Sequence, residues 1–205
     1  MKKAPGILIL TLLSLSACKN IVDQSNKIKN KEMEIKTIEN TDDIFIISHT
    51  FETDAGSLFN MWIDPEIYTS WMGPKGAVMS FLNADVREGG TALWKMTTPD
   101  DSTKYGKLHF KKINPNNQLV YVQNFCDKDG DFIKAPFLET YPDSLLLTAD
   151  FVQEAKGKVK MTVKWEILGE STEIERKTFN DMKPYMVQGW GESFDKIEAL
   201  LKPKT

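Results

Sequence analysis

The stretch ADVREGGTALWKM, Ala84 to Met96, sets a glycine pair between two alternating apolar and polar runs, and its reading decides the fold of the middle of the chain. Phosphate-binding glycine loops lead from a strand into a helix, whose first amides receive the anion. After Gly90 comes Thr91-Ala92-Leu93-Trp94-Lys95-Met96, an alternation of period two with no helix start. The pair therefore reads as a hairpin, because a two-residue Gly-Gly link supplies the positive φ that primed turns need. Gly73-Pro74-Lys75-Gly76 fails as a phosphate loop on the same ground: a strand follows it.

Strand patterns continue on both sides of that turn. Val159 to Ile167 alternates without a break, one face apolar and the other charged, the period of a half-buried antiparallel strand. Further strands are expected at Ile44 to Phe51, Ala77 to Arg87, Thr91 to Thr98, Tyr105 to Ile113, Leu119 to Phe125 and Leu145 to Gln153. Turn-forming residues such as Asn114-Pro115-Asn116-Asn117 and Ala155-Lys156-Gly157 separate several of them. The links from Ala77 to Leu168 look like hairpins, so the sheet is antiparallel.

Two helical segments follow the first strand. Asp54 can cap one that runs through Trp62, and Asp64-Pro65-Glu66 places a capping carboxylate before a proline at the first position of the next. Near the C-terminus Met182, Met186, Trp190, Phe194, Ile197 and Leu201 recur every three to four residues, one apolar stripe of a long helix whose first turn would hold Pro184. The expected fold is α+β: a curved antiparallel sheet of about seven strands wrapped on a long C-terminal helix, with two short helices after the first strand.

Five motifs in this order resemble one family. They are Ile47-Ser48-His49-Thr50-Phe51, Trp62-Ile63-Asp64-Pro65-Glu66, Trp71-Met72-Gly73-Pro74, Asp85-Val86-Arg87-Glu88-Gly89-Gly90 and Gly189-Trp190. Their sequence is similar to that of the START-like (SRPBCC) helix-grip superfamily, and within it to the homologues of the heat shock protein 90 ATPase activator. His49 stands where members of that family usually carry arginine. The resemblance implies a helix-grip domain that encloses a cavity for apolar ligands.

The N-terminal part has a different character. Lys2 and Lys3 precede an apolar run, Ile7 to Leu15, and Leu15-Ser16-Ala17 leads to Cys18. A basic start, a short apolar core and small residues before the cut describe a secretory signal, too short to stay as a spanning helix. The cysteine after Leu-Ser-Ala resembles the lipobox of bacterial lipoproteins, which implies lipidation of Cys18. A plain secretory signal, or an apolar N-terminus with a chance cysteine, is the competing reading. Residues 1–17 are thus expected to be a lipoprotein signal peptide, 18–40 a flexible polar tether and 41–205 the helix-grip domain. The tether has no aromatic residue and cannot bury enough apolar surface to offset its ordering entropy. The expected location is the cell envelope, with membrane contact through the N-terminal lipid alone.

Charge and chemistry narrow the function. A net charge of −3 leaves no basic footprint for nucleic acid. With Cys18 in the lipobox, Cys126 is alone, so no internal disulfide is available. Asp127-Lys128-Asp129-Gly130-Asp131 opens like a calcium loop, but glycine is at position four and Leu138 at twelve, and a solvated hairpin tip is the better reading. The two histidines, His49 and His109, have no third ligand at zinc-like spacing. Ser-His-Asp chemistry stays open, but no nucleophile-elbow motif is present, and no residue stands out as catalytic; no metal or cofactor is expected. What remains is aromatic and methionine content. Trp71, Trp94, Phe110, Tyr121, Phe151, Trp165, Met186 and Trp190 are the candidate lining of a cavity between sheet and helix.

Three readings of function stay open. The first is a membrane-anchored domain binding a small apolar ligand. The second is a protein-interaction, chaperone-like module of the envelope, which a contiguous exposed apolar patch outside the cavity would favour. The third is an enzyme acting on an apolar small molecule, with His49 or Asp150 as the titratable group it would need in the pocket.

Overall fold

The computed structural model describes residues 36–37 and 43–202. The expected signal peptide, Cys18 and the tether apart from Lys36 and Thr37 lie outside the described residues. Strands β1 (Lys36–Thr37), β2 (Ile44–Phe51), β3 (Val78–Ala84), β4 (Thr91–Thr97), β5 (Thr103–Asn114), β6 (Gln118–Cys126), β7 (Ser144–Ala155) and β8 (Lys158–Ile167) form one sheet in the order β1-β2-β8-β7-β6-β5-β4-β3. Every neighbouring pair is antiparallel. The seven expected strands are all present. The eighth, β1, falls in the segment read as tether and pairs Lys36 with Ser48 on the edge of β2.

Alternation sets which residues turn inward. Along β8, Val159, Met161, Val163 and Trp165 are buried, while Lys160, Thr162 and Lys164 between them are only half-buried. Register carries that face across the sheet, from Phe45 opposite Trp165 to Leu147 and on to Tyr121. Register shifts at Phe81/Asn83, Phe110/Lys112 and Gln153/Ala155 insert extra residues, which bend the strands and curl the sheet.

Helices α1 (Ala55–Ile63) and α2 (Pro65–Trp71) start where the capping residues put them. Asp54 accepts the Ser57 amide at 2.8 Å, and Asp64 accepts those of Glu66 and Ile67 at 2.9 and 3.1 Å. Their apolar sides meet the inner face: Trp62 donates its indole N–H to Met161 Sδ, and Phe59 meets Phe151 edge-on. Helix α3 (Glu173–Leu201) lies against the concave face and buries Phe179, Trp190, Phe194 and Ile197.

Three local expectations change. Helix α3 begins about ten residues before its apolar stripe, at a capping box in which Thr172 and Glu175 bond each other's backbone amides. Pro184 is consequently inside the helix rather than in its first turn, at an exposed position. The link from β6 to β7 is no tight hairpin: Asp127 to Asp143 forms a long loop, tied back by the Cys126–Phe132 bridge and by the Lys134 ion pairs to Asp143 and Glu175.

The third change concerns the glycine pair. Strands β3 and β4 are joined by the whole of Asp85 to Gly90, not by two residues. The Gly90 amide donates to the Arg87 carbonyl, with Gly89 at φ +77° in the third position of that turn, where a side chain is disfavoured. Gly90 is needed for a different reason, since a Cβ there would fall 2.1 Å from the Asp85 carbonyl oxygen. Gly89 and Gly90 together exchange backbone hydrogen bonds with Phe110 on β5, so the turn extends the sheet sideways. It remains a turn leading into a strand, with no helix to receive a phosphate.

Candidate functional site

Between the inner face of the sheet and α3 lies a cavity of about 310 Å³. Its walls follow from strand parity. Trp94 on β4, Phe125 on β6 and Trp165 on β8 hold inward positions, and α3 adds Met186 and Trp190 from across the gap. Trp94 and Phe125 meet edge-on at 6.0 Å, a favoured aromatic geometry. Met72, Met79 and Met96 contribute flexible thioethers, which let a wall adapt to different shapes.

Trp94 can hold its position because β5 carries no side chain beneath it. A Cβ on Gly106 would lie 2.2 Å from Trp94 Cζ2 and 2.4 Å from Cε2. At one end, α3 clasps the chain after α2: Lys196 donates to the Gly73 carbonyl at 2.7 Å, and Glu192 accepts the Lys75 amide at 2.7 Å. At the other end, the β6–β7 loop brings in Phe137, edge-on to Phe125 at 5.4 Å, and Tyr141, 5.2 Å from Phe137.

The polar content of the lining is small. It consists of Thr98, Lys104, Gln123, Ser193, the hydroxyls of Tyr68 and Tyr141 and the tryptophan indoles, of which Trp165 Nε1 is buried with no hydrogen-bond partner among the described residues; no carboxylate, histidine or cysteine lines it. The Tyr68 and Tyr121 hydroxyls share a hydrogen bond of 3.1 Å. Burial pushes both phenols, and that of Tyr141, well above the ordinary tyrosine value, so all three act as neutral hydroxyls. The cavity can therefore enclose an apolar body and offer it a few hydrogen bonds.

Of the eight expected lining residues, the structure brings Trp94, Trp165, Met186 and Trp190 together around the cavity. Trp71, Phe110, Tyr121 and Phe151 lie outside its wall, in packed core. Trp71 is fully enclosed and donates to the Met61 carbonyl at 2.9 Å, anchoring α2 on α1. Phe110 packs edge-on against Tyr121, and Phe151 is covered by Phe59 and Trp62. They face the right side of the sheet, but neighbouring rings close over them.

The titratable candidates are elsewhere. His49 is on the inner face of β2, stacked on Phe194 at 5.3 Å, with Nε2 2.7 Å from Glu198 Oε1; it joins sheet to helix away from the cavity wall. Asp150 is on the opposite face of β7 and accepts the Gln118 amide at 2.7 Å. In the calcium-like stretch, Asp127 Oδ1 accepts the amides of Asp129 and Asp131 at 2.9 Å each, closing its own loop. Among the described residues no group of three or more His, Cys, Asp or Glu is placed to hold a metal. Burial pushes the Cys126 thiol above its ordinary value, away from reactivity.

Several lining residues were missed by sequence reasoning. Phe137 and Tyr141 are in a segment without periodicity, where no inward face can be assigned in advance. Lys104 shares parity on β5 with Leu108 and Phe110, but the expected strand starts one residue later, at Tyr105, so the signal fell just outside it.

Residues 52–202 match the model of the family described as activator of Hsp90 ATPase homolog 1-like protein. No curated protein matches the chain in sequence. Among solved structures, a protein of Mycobacterium smegmatis superposes with a TM-score of 0.68 at 16% identity, covering 83% of this chain and 99% of that one. A protein of Arthrobacter aurescens does so at 0.68 and 22% identity, over 82% and 91% of the two chains. The AHSA1 protein of Silicibacter pomeroyi follows at 0.58 and 14%, over 77% and 96%. At these identities the likeness establishes the helix-grip fold.

Proposed function

The chain belongs to the family of activator of Hsp90 ATPase homolog 1-like proteins, and on that premise we propose that it binds a small apolar ligand in the cavity between the sheet and α3, on a domain held at an envelope membrane by lipid on Cys18. The observation that carries the binding reading is the cavity itself. Protein interiors are otherwise close-packed, and about 310 Å³ lined by tryptophan, phenylalanine and methionine is within the size range of ligand sites.

Titration of the full chain with the neutral fluorophore N-phenyl-1-naphthylamine tests it. One site per chain is expected, and Met186→Trp, which fills the cavity from α3, should weaken binding at least ~10-fold with the fold retained. Unchanged binding in that variant would place the probe elsewhere and overturn the reading.

The anchor rests on the Leu15-Ser16-Ala17-Cys18 motif. Several acyl chains on one cysteine would hold the protein stably, since anchoring strength grows with each buried methylene. Cells fed labelled palmitate are expected to label the wild-type chain and not Cys18→Ser; a wild-type chain without label ends the lipoprotein reading. Among the described residues no helix is long and apolar enough to cross a membrane.

One observation favours a second reading, a protein-interaction module. Phe132, Ile133, Phe137 and Leu138 on the β6–β7 loop are all more than a third exposed, and of these Phe137 also lines the cavity. A protein partner docking there would be lost from Phe132→Asp with probe binding intact. The enzyme reading has no such support, because neither His49 nor Asp150 lines the cavity.

A further inference from the structure

Resting on the ligand-binding reading, we propose that the ligand is an apolar acid, with its carboxylate at Lys104 and its body against Trp94, Trp165 and Trp190. Lys104 is the only charged residue in the cavity lining, and no carboxylate lines the cavity to balance it. Among the described residues it has no ion-pair partner; its ammonium is instead 5.1 Å from the centroid of the Phe137 ring. A ring face attracts an ammonium and keeps it at an apolar rim rather than fully in water. An unpaired cation beside an apolar chamber is a place where an anion gains a charge-assisted hydrogen bond, about twice as strong as a neutral one.

The neighbours of Lys104 supply the other contacts a carboxylate needs. Gly106, two residues along the same face of β5, pairs with Phe125. Gln123 is two residues from Phe125 on the inner face of β6, and its amide has no hydrogen-bond partner among the described residues. Tyr141, whose ring centroid is 6.5 Å from that of Phe125, makes no hydrogen bond through its hydroxyl among them either. Held neutral by burial, that hydroxyl is a donor. One ammonium, one amide and one hydroxyl thus belong to residues around Phe125 and Phe137, and among the wall tryptophans Trp165 adds a buried indole N–H with no partner among the described residues. The lining carries one cation, several donors and no anion, which matches a molecule with one anionic end.

The selectivity of an apolar chamber with a cationic rim separates this proposal from the reading beneath it. Decanoate, decan-1-ol and decylammonium are titrated into the full chain carrying Cys18→Ser, followed by intrinsic tryptophan fluorescence. Decanoate is expected to bind at least ~10-fold more tightly than decan-1-ol, and decylammonium more weakly than either. Lys104→Met should remove the preference for decanoate and leave decan-1-ol binding unchanged, Lys104→Arg should keep it, and Lys104→Glu should turn it toward decylammonium. Because the Lys104 side chain is half-buried at the rim, these variants are expected to melt within a few degrees of wild type. Equal binding of decanoate and decan-1-ol, or a preference that survives Lys104→Met, overturns the acid while leaving an apolar-ligand site. Failure of all three probes overturns both.

Discussion

Gly106→Ala is expected to lower stability by about 3 kcal/mol, the upper end of what an added methyl costs in a packed core. The new Cβ would be 2.2 Å from Trp94 Cζ2 and 2.9 Å from the Asn124 carbonyl oxygen. Carbon atoms rest about 3.5–4.0 Å apart, so the indole must retreat by more than an ångström. Alanine is otherwise the better strand residue by roughly 0.5–1 kcal/mol, which offsets only part of the clash. Trp94 is nearly enclosed, and Phe125 blocks one side edge-on. The open direction is the cavity. Whatever strain is relieved by that route is relieved at the expense of binding, so naphthylamine affinity should fall together with the urea midpoint. The stability loss of Gly106→Ala with Trp94→Leu should be smaller than the sum of the two single losses, a non-additive result expected of residues in contact. A variant that melts like wild type and binds the probe equally would show that Gly106 has no part in shaping the cavity.

Much of the architecture was legible because period-two alternation and capping chemistry are local. Val159 to Ile167 announces an inward and an outward face, and Asp64-Pro65-Glu66 announces a helix start, with no knowledge of what packs above them. The failures share a cause. Gly89 and Gly90 were read as a two-residue turn, but their roles depend on Phe110 and Asp85, which are brought to them only by the completed sheet. Pro184 drew the start of α3 too far along the chain, although Thr172-Glu173-Ile174-Glu175 carries the capping pattern in plain view. The cavity wall was half legible for a related reason. Parity assigns a residue to the inner face, yet whether that face meets a ring or empty space is decided by other elements. Phe151 and Trp165 are both inward; Phe59 and Trp62 cover the first, and part of the second is left open to the cavity. The β6–β7 loop, with no periodicity, was invisible as a wall.

Trp190→Ala is expected to lower stability by about 3–5 kcal/mol. Its indole stacks on Trp62 at 5.9 Å and 14°, meets Phe194 at 5.7 Å and Trp71 at 6.5 Å, and is 7% exposed. Trp62 and Trp71 join α3 to α1 and α2, and Phe194 in turn meets Phe51 on β2. The Trp190 side chain also lines the cavity, so its removal would merge the void it leaves with space that is already empty. Walls that cannot collapse onto a deletion pay the full cavity term, which puts the loss toward the upper end of the range. Domains of this size have only about 5–15 kcal/mol to lose, so the variant should unfold at markedly lower urea and melt far below wild type. Trp190→Phe, which keeps a ring on Trp62, should lose less than half as much. An apolar probe that fills the enlarged space should restore part of the loss in Trp190→Ala, in proportion to the logarithm of its concentration above its dissociation constant. If Trp190→Ala melted within a few degrees of wild type, α3 would be held by its polar clasps, Lys196 on Gly73 and His49 with Glu198, and the aromatic account of how this helix grips the sheet would be wrong.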